Sequence, residues 1–405
     1  MGHNVAAASD DYMDRYFNEL PRTFNPKRFD PEEWAILAKL AGMKYICFTT
    51  KHINGFCMWD TETTDFNIIN TGYGKDILAE IIAAFRKYDI AIGLYFCTQD
   101  FHVMYKQGHP ICRTTPEAQM PTNKELWEIT KKQLKEILTN YGKIDILFLD
   151  DWHDWNNTLV ANYCWDVDPN LVITRGGMPT PEQKTIQVLT EKRVPGPWEA
   201  CNTFGWHWQY VPGEEYRDTT ELINLLIATR ANGGNLLLSV GPTANGQIPE
   251  RQEDRLREIG LWYLANHEAV EKVEPWNRIN ESRTPDNSNS RMVKEIEKIW
   301  FTKARGKNIV YAFIPGGNWA WMERKEFLLR TIKGNENTKV SVLGQNQKVV
   351  EYELETDPRI YATPTEEGLF VSVIKSQRLT KTWDNPVVLK IENVTDQPLI
   401  CGKKK

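Results

Sequence analysis

Up to about residue 272 the chain alternates short, almost continuously apolar runs with amphipathic helical patterns, and that alternation restricts its fold more than any other feature. The runs are Lys44–Thr50 (KYICFTT), Ile90–Cys97 (IAIGLYFC), Asp145–Asp150 (DILFLD), Leu171–Arg175 (LVITR) and Asn235–Val240 (NLLLSV), with a weaker one near Trp198–Asn202. A strand with one wet face alternates polar and apolar residues. A strand covered by helices on both faces does not, so these runs read as a parallel sheet. Between them, Pro31–Ala41, Asp76–Tyr88, Lys124–Asn140, Thr219–Ala231 and Glu250–His267 carry helical periodicity. Asp30-Pro31 supplies an N-cap followed by proline at the first helical position. Repeated strand–helix units predict an α/β fold, a (β/α)8-like barrel.

After Trp276 the texture changes. Asn277–Ser290 (NRINESRTPDNSNS) is polar and turn-rich, and reads as a linker. Beyond it, Lys298–Thr302, Asn308–Ile314, Lys339–Leu343, Leu369–Ile374 and Pro386–Ile391 are β-type runs with few helical patterns among them. They predict a C-terminal antiparallel β-sandwich. The expected division is therefore a catalytic barrel over 1–276 and a sandwich over 277–405, which a chain of 405 residues accommodates.

Composition excludes several classes. The 49 Lys+Arg against 54 Asp+Glu give a net charge of −5, which argues against nucleic acid as a partner. Seven cysteines without a CxxC pair indicate neither a disulfide scaffold nor a zinc ribbon. No stretch approaches the roughly 18 apolar residues of a membrane span. The start, MGHNVAAASDD, lacks an apolar core, so no signal peptide is expected and the compartment stays open. The 15 Trp, 15 Tyr and 15 Phe suit sugar faces and a hydrophobic core equally well.

In a parallel barrel, chemistry gathers at the carboxyl ends of strands. The residues that close the apolar runs are Thr50-Lys51-His52 with Asn54-Gly55-Phe56, Tyr95 followed by Asp100 and His102, Asp150–Asp154, and Arg175 with Glu182 in the loop beyond. The weak run opens with Trp198-Glu199. Leu147-Phe148-Leu149 leads straight into Asp150, a carboxylate aimed from a dry strand end into the barrel mouth or else an N-cap for the next helix. Paired with a second carboxyl group about 5–5.5 Å away, it would suit a retaining glycosidase. The competing reading makes Asp150, Asp151, His153 and Asp154 metal ligands. Alternation along an extended segment lets at most half of them converge.

The stretch Ala41–Trp59 (AGMKYICFTTKHINGFCMW) resembles the hallmark of glycoside hydrolase family 29, the retaining α-L-fucosidases. Further matches follow in the family's order: Thr64–Asn67, Lys75–Ile77, Gly93–Tyr95, Asp145–Asp150, Arg175, Thr180–Glu182, Trp198-Glu199-x-Cys201 and Gly233–Leu238 with Gly241-Pro242. Together they span roughly residues 10–276. The resemblance implies Asp150 as nucleophile and Glu182 as acid/base, with Glu199 in reserve. It also implies His52 and Tyr95 at the sugar hydroxyls, Phe148 as an aromatic platform, Arg175 pairing with carboxylates, and Trp198 at the substrate. It implies no metal and no organic cofactor. The substrate would be a fucosylated oligosaccharide or glycoconjugate, or a related α-L-galactoside. An oligomer is compatible with this, as is a periplasmic, extracellular or lysosomal-type compartment.

Departures from the family pattern stand beside the matches. Ile53 and Asn54 replace a histidine and an aspartate, Asp14-Arg15 stands where an acidic residue precedes Trp, and Asp151 follows the nucleophile in place of glycine. Ile53 suggests altered contact with a sugar hydroxyl. The family's opening strand has no counterpart, so the barrel is expected to be irregular or incomplete at its N-terminal side. Two alternatives follow: a catalytically impaired carbohydrate-binding derivative, and a metal-dependent hydrolase using Asp150 and His153. Trp152, Trp155, Trp206, Trp208 and Tyr210 fall in loops after strand ends, as pocket walls or as core.

Overall fold

A computed structural model describes residues 8–150, 154–175, 184–186, 194–282, 298–317, 319–376 and 384–395. Seven parallel strands make up the N-terminal part among the described residues. β1 (Tyr45–Lys51), β2 (Ala91–Cys97), β3 (Ile146–Asp150) and β4 (Val172–Thr174) form one sheet in that order. β5 (Lys184–Ile186), β6 (Trp198–Thr203) and β7 (Asn235–Ser239) form a second. The helices are α1 (Asp10–Asp14), α2 (Pro31–Leu40), α3 (Ile77–Arg86), α4 (Phe101–Lys106), α5 (Lys124–Thr139), α6 (Asp154–Val167), α7 (Thr219–Ala231) and α8 (Glu250–Asn266). Five of the expected strands and all five expected helices are present, and the weak run near Trp198 is a true strand.

Local chemistry starts the helices where the sequence signals them. Asp30 accepts from the backbone N–H of Glu32 and Glu33 at 2.9 and 3.1 Å, with Pro31 at the first position. Asp218 and Glu221 form a reciprocal capping box at the start of α7. The helices lie against the outer faces of the strands. Leu147 and Leu149 of β3, both fully buried, meet Leu134 and Ile137 of α5 in one continuous core. Their neighbours Phe148 and Asp150 point to the opposite face, into the barrel, because side chains alternate along a strand.

The short strand β5 has no counterpart among the expected strands. Its three residues, Lys-Thr-Ile, offer no apolar run to detect. Among the described residues β1 and β7 each pair on one side only. A cavity runs between them, bounded by residues 44–50 of one strand and 235–241 of the other. Tyr45, Ile46, Cys47 and Phe48, like Leu236, Leu237 and Leu238, are therefore only half-buried. This is the irregularity expected on the N-terminal side of the barrel.

The C-terminal part holds a five-stranded antiparallel sheet ordered β12 (Lys339–Val342), β15 (Val387–Glu392), β10 (Ile309–Ile314), β9 (Lys298–Ala304), β8 (Val273–Ser282). A three-stranded sheet, β11 (Arg324–Leu329), β14 (Leu369–Ile374) and β13 (Tyr361–Pro364), accompanies it. Their inner faces share a core of Phe301, Val310, Leu329, Val371 and Leu389. β8 runs across the expected boundary at 276/277, so Asn277–Ser282 is strand instead of linker. It is an edge strand with a register shift between Pro275 and Asn280 and three exposed polar residues, Asn277, Arg278 and Ser282. Edge strands tolerate such sequences. Trp262 Nε1 of α8 donates to Pro386 O at 2.8 Å and joins Leu222, Phe313 and Val388 in a buried seam between the two parts.

A satellite cluster under the barrel mouth buries His102 against Phe17 and Phe66, with ring centroids 5.3 and 4.6 Å away. Burial pushes this imidazole down to about 4, against about 6.5 in an unfolded chain. Between those values the unfolded chain binds a proton that the fold does not, so stability is full above pH 6.5 and is lost as pH falls toward 4. The gap corresponds to about 3 kcal/mol. His102→Phe is expected to flatten this part of the stability profile in urea denaturation at pH 7 and pH 4.5; an unaltered slope would remove the buried neutral histidine from the explanation.

Candidate active site

The site starts from a charged pair beneath the barrel mouth. Lys51, at the end of β1, is fully buried; its Nζ lies 3.1 Å from Asp100 Oδ2 and 3.0 Å from Gln133 Oε1, over the Phe96 ring. The other oxygen of Asp100 caps α4 by accepting from Val103 N at 3.0 Å. The turn over this pair closes with Gly55 N donating to His52 O at 2.9 Å. Gly55 has φ +89°, and a Cβ there would stand 2.1 Å from Asp100 Oδ1. Only glycine satisfies both conditions. The turn leaves His52 exposed at the mouth.

From His52 a stack crosses four successive strand ends. Its ring lies parallel to that of Tyr95, 2° between planes and 5.6 Å between centroids. Tyr95 pairs in register with Phe148 and stacks on it at 5.5 Å. The Arg175 guanidinium sits 5.4 Å from the Phe148 ring. Arg175 closes the row with φ +62°, in the left-handed region that a non-glycine residue occupies at a cost.

Asp150 lies within this frame. Its Oδ2 accepts a short hydrogen bond from Tyr95 Oη. Arg175 Nε is 3.0 Å from Oδ1, as an ion pair. Oδ1 itself accepts no hydrogen bond among the described residues. Burial, then the neighbouring Cys97 and Asp150, hold the Tyr95 phenol far above its ordinary range, so it remains a donor. One carboxylate oxygen is thus held by a hydrogen bond and the other by an ion pair.

A cavity of about 1750 Å³ opens over this face, and His52, Asn54, Tyr95, Phe148, Asp150 and Arg175 all line it. Its size reflects continuity with the gap between β1 and β7. Arg113 also lines it, braced by Gln99 Oε1 at 2.9 Å. Arg113 comes from a long loop and ends no apolar run, so no local signal marks it. Asn54, noted in the sequence only as a departure, faces the cavity and donates to Tyr16 Oη at 3.1 Å. Cys201 shares the cavity, but burial, with Glu199 nearby, pushes its thiol up to about 12 and keeps it a poor nucleophile.

Three residues take places other than those expected from the sequence. Trp198, expected at the substrate, opens β6 and so sits at the far end of the barrel from the mouth. It is 2% exposed, packs against Gly234 and donates to Asn232 O at 3.4 Å, and it does not line the cavity. Glu199 is fully buried, with Oε2 accepting from Tyr45 Oη at 2.8 Å and Oε1 from the Thr174 and Thr185 hydroxyls at 2.9 Å. Both of its oxygens are engaged, which makes it a structural carboxylate. Ile53 is 2% exposed and packs with Met13, Phe17 and Phe101, so it turns away from the cavity. Glu182, Asp151, Trp152 and His153 lie outside the described residues, as do the side chains of Asp154 and Trp155. No group of three or more potential metal-binding side chains occurs among the described residues, and no helix among them is long and apolar enough to cross a membrane.

Comparisons with known proteins agree with one another. The alpha-L-fucosidase family profile matches residues 4–268. Plasma alpha-L-fucosidase of Rattus norvegicus is 30% identical over 369 residues, covering 83% of this chain and 74% of its own. The alpha-L-fucosidase of Dictyostelium discoideum is 28% identical over 360 residues, covering 84% and 73%. Among solved structures, alpha-L-fucosidase isoenzyme 1 from Paenibacillus thiaminolyticus superposes with a TM-score of 0.72 at 25% identity, covering 97% of this chain and 92% of its own. The Thermotoga maritima alpha-fucosidase in complex with fucose gives 0.71 at 25% identity, covering 94% and 84%. With the profile matching well over half of its length, the chain belongs to the alpha-L-fucosidase family of glycoside hydrolases.

Proposed function

We propose that this chain removes terminal α-L-fucosyl residues from glycans with retention of configuration, by double displacement at Asp150. The observation that carries this reading is the Asp150 carboxylate, which Tyr95 and Arg175 hold at a strand end that lines a large cavity. The Asp150 carboxylate attacks the anomeric carbon as the bond to the leaving oxygen breaks. The proton for the leaving oxygen comes from Glu182, assigned by resemblance to the family. The product of this step is an ester between Asp150 and the sugar. Glu182, now a carboxylate, takes a proton from water, and the water attacks the same carbon from the opposite side. Asp150 departs as a free carboxylate, and two inversions restore the α configuration.

The surrounding groups have defined tasks in this scheme. Arg175 and Tyr95 keep Asp150 oriented, which removes part of the entropic cost of attack. Phe148 and Tyr95 offer a wall to the apolar face and methyl group of the sugar. His52, exposed above them, is placed for a sugar hydroxyl. Glu199 holds β6 to β1 and β4 from below.

The test has two parts. Proton NMR of an aryl α-L-fucoside digest is expected to show α-fucose as the first product, with the β anomer rising later by mutarotation; β-fucose first would sink the retaining mechanism. Glu182→Ala is expected to slow a fucosylated glycan by about 10²–10⁴-fold, and an aryl fucoside with an acidic leaving group far less. Glu199→Gln is expected to show no such split. A split at Glu199 and none at Glu182 would reverse the assignment.

A further inference from the structure

A buried cation lines the cavity without a task in the two displacements. Arg113 comes from the loop between α4 and α5 and is 7% exposed, although it lines the same cavity as Asp150 and His52. Its Nε donates to Gln99 Oε1 at 2.9 Å, and Gln99 Nε2 returns a bond to Arg113 O at 2.7 Å. Gln119 Nε2 donates to the same carbonyl at 2.9 Å, and Gln119 Oε1 accepts from Asn156 Nδ2 at 2.7 Å. All three amide side chains are buried.

The network fixes where the guanidinium lies. Gln99 follows the end of β2 by two residues, and Cys97, which closes β2, pairs in register with Asp150. Asn156 belongs to α6, the helix that follows Asp150 in the chain. Arg113 is thus clamped between the segments that leave the two strands carrying Tyr95 and Asp150. Held at its Nε and at its own backbone, the side chain has little rotamer freedom left to lose when a ligand arrives.

Charge decides what such a group can receive. Taking a guanidinium out of water is costly, and well-placed anionic oxygens are what offsets that cost. The group carries five N–H donors, of which Gln99 engages the one on Nε. Its planar fork matches two oxygens of a sulfate or carboxylate side by side.

We infer that Arg113 is a specificity-determining residue that receives an anionic substituent of the glycan, a sulfate ester or a carboxylate. The inference rests on the fucosidase reading and deepens it: the preferred substrates are acidic fucosylated glycans. A mere brace for the loop would act on every substrate alike, whereas an anion site separates charged substrates from neutral ones.

The readout is kcat/KM on four fucosylated disaccharides. One is neutral, one is sulfated on the fucosyl unit, one is sulfated on the adjoining sugar, and one has a uronic acid as that sugar. Wild type is expected to favour at least one acidic form over the neutral one about tenfold, and the form favoured shows which unit carries the anion. Arg113→Met is expected to bring that ratio to within about twofold of unity, whether or not all rates fall together. If Arg113→Met does not fold, Arg113→Gln, which keeps an amide donor toward Gln99, takes its place with the same expectation. Wild-type ratios of about twofold or less for all three acidic forms would overturn the inference, as would a preference that persists in the variant. Should the wild-type protein hydrolyse none of the four, the fucosidase reading fails, and calorimetry with the same sugars still decides this one. Binding of an acidic form that weakens about tenfold in the variant supports the anion site. Equal binding of charged and neutral sugars, no binding at all, or binding that the substitution leaves unaltered removes it.

Discussion

Asp150→Ala is expected to lower kcat/KM on an aryl α-L-fucoside by at least about a thousandfold, or roughly 4 kcal/mol of transition-state stabilisation. The size follows from the role: without the carboxylate no ester forms, and water must attack unaided across a site shaped for another nucleophile. The fold is expected to survive, because Arg175 and Asp150 are both partly open to the cavity, their side chains 26% and 15% exposed. Circular dichroism checks that point. The truncated side chain also leaves space for a small anion. Azide is expected to restore turnover and to give a β-fucosyl azide, the product of one inversion in place of two. Wild-type activity in Asp150→Ala would eliminate the carboxylate as nucleophile.

The second large effect lies beneath the site. Lys51→Met is expected to destabilise the protein by about 3–5 kcal/mol, because it leaves the Asp100 carboxylate buried without its counter-charge. The Lys51 side chain is 0% exposed and that of Asp100 3%. On a chain of this size the cost corresponds to a fall of about 5 °C in Tm. Activity is expected to fall as well, since the turn carrying His52 rests on Asp100 through Gly55. The double variant Lys51→Met with Asp100→Asn keeps an oxygen to cap α4 and removes the stranded charge, so it is expected to recover a large part of the loss. Thermal denaturation of both variants decides the matter. A single variant within about 1 kcal/mol of wild type would show that the pair contributes little.

Much of this organisation is legible along the chain because it is written in local signals. Continuous apolar runs mark β1, β2, β3, β4 and β7, and the run DILFLD puts Asp150 at a strand end without knowledge of any contact. Caps such as Asp30 and Asp76 mark helix starts at the right residues. Signals fail where an element is short, polar or at an edge: β5 has three residues, β8 exposes polar side chains, and β13 ends in Pro364.

Site residues divide along similar lines. Residues that close an apolar run are legible, and those whose role depends on distant partners are not. Glu199 is structural through hydroxyls that lie 154, 25 and 14 residues away in sequence. Ile53 sits beside His52 in the chain and yet turns into a different cluster. Trp198 belongs to the same short motif as Glu199, and its position at the opening of β6 carries it away from the mouth. Arg113 reaches the cavity from a loop that no pattern distinguishes.

The central claim is that Asp150 forms a covalent bond to the sugar, and trapping that bond tests it most directly. In a 2-deoxy-2-fluoro-α-L-fucosyl fluoride, the ring fluorine slows both displacements while the fluoride leaving group speeds the first, so the ester accumulates. Peptide mass spectrometry of the inactivated protein is expected to place the sugar on Asp150. A label on any other residue, or none while the same preparation turns over an aryl α-L-fucoside, would contradict the account.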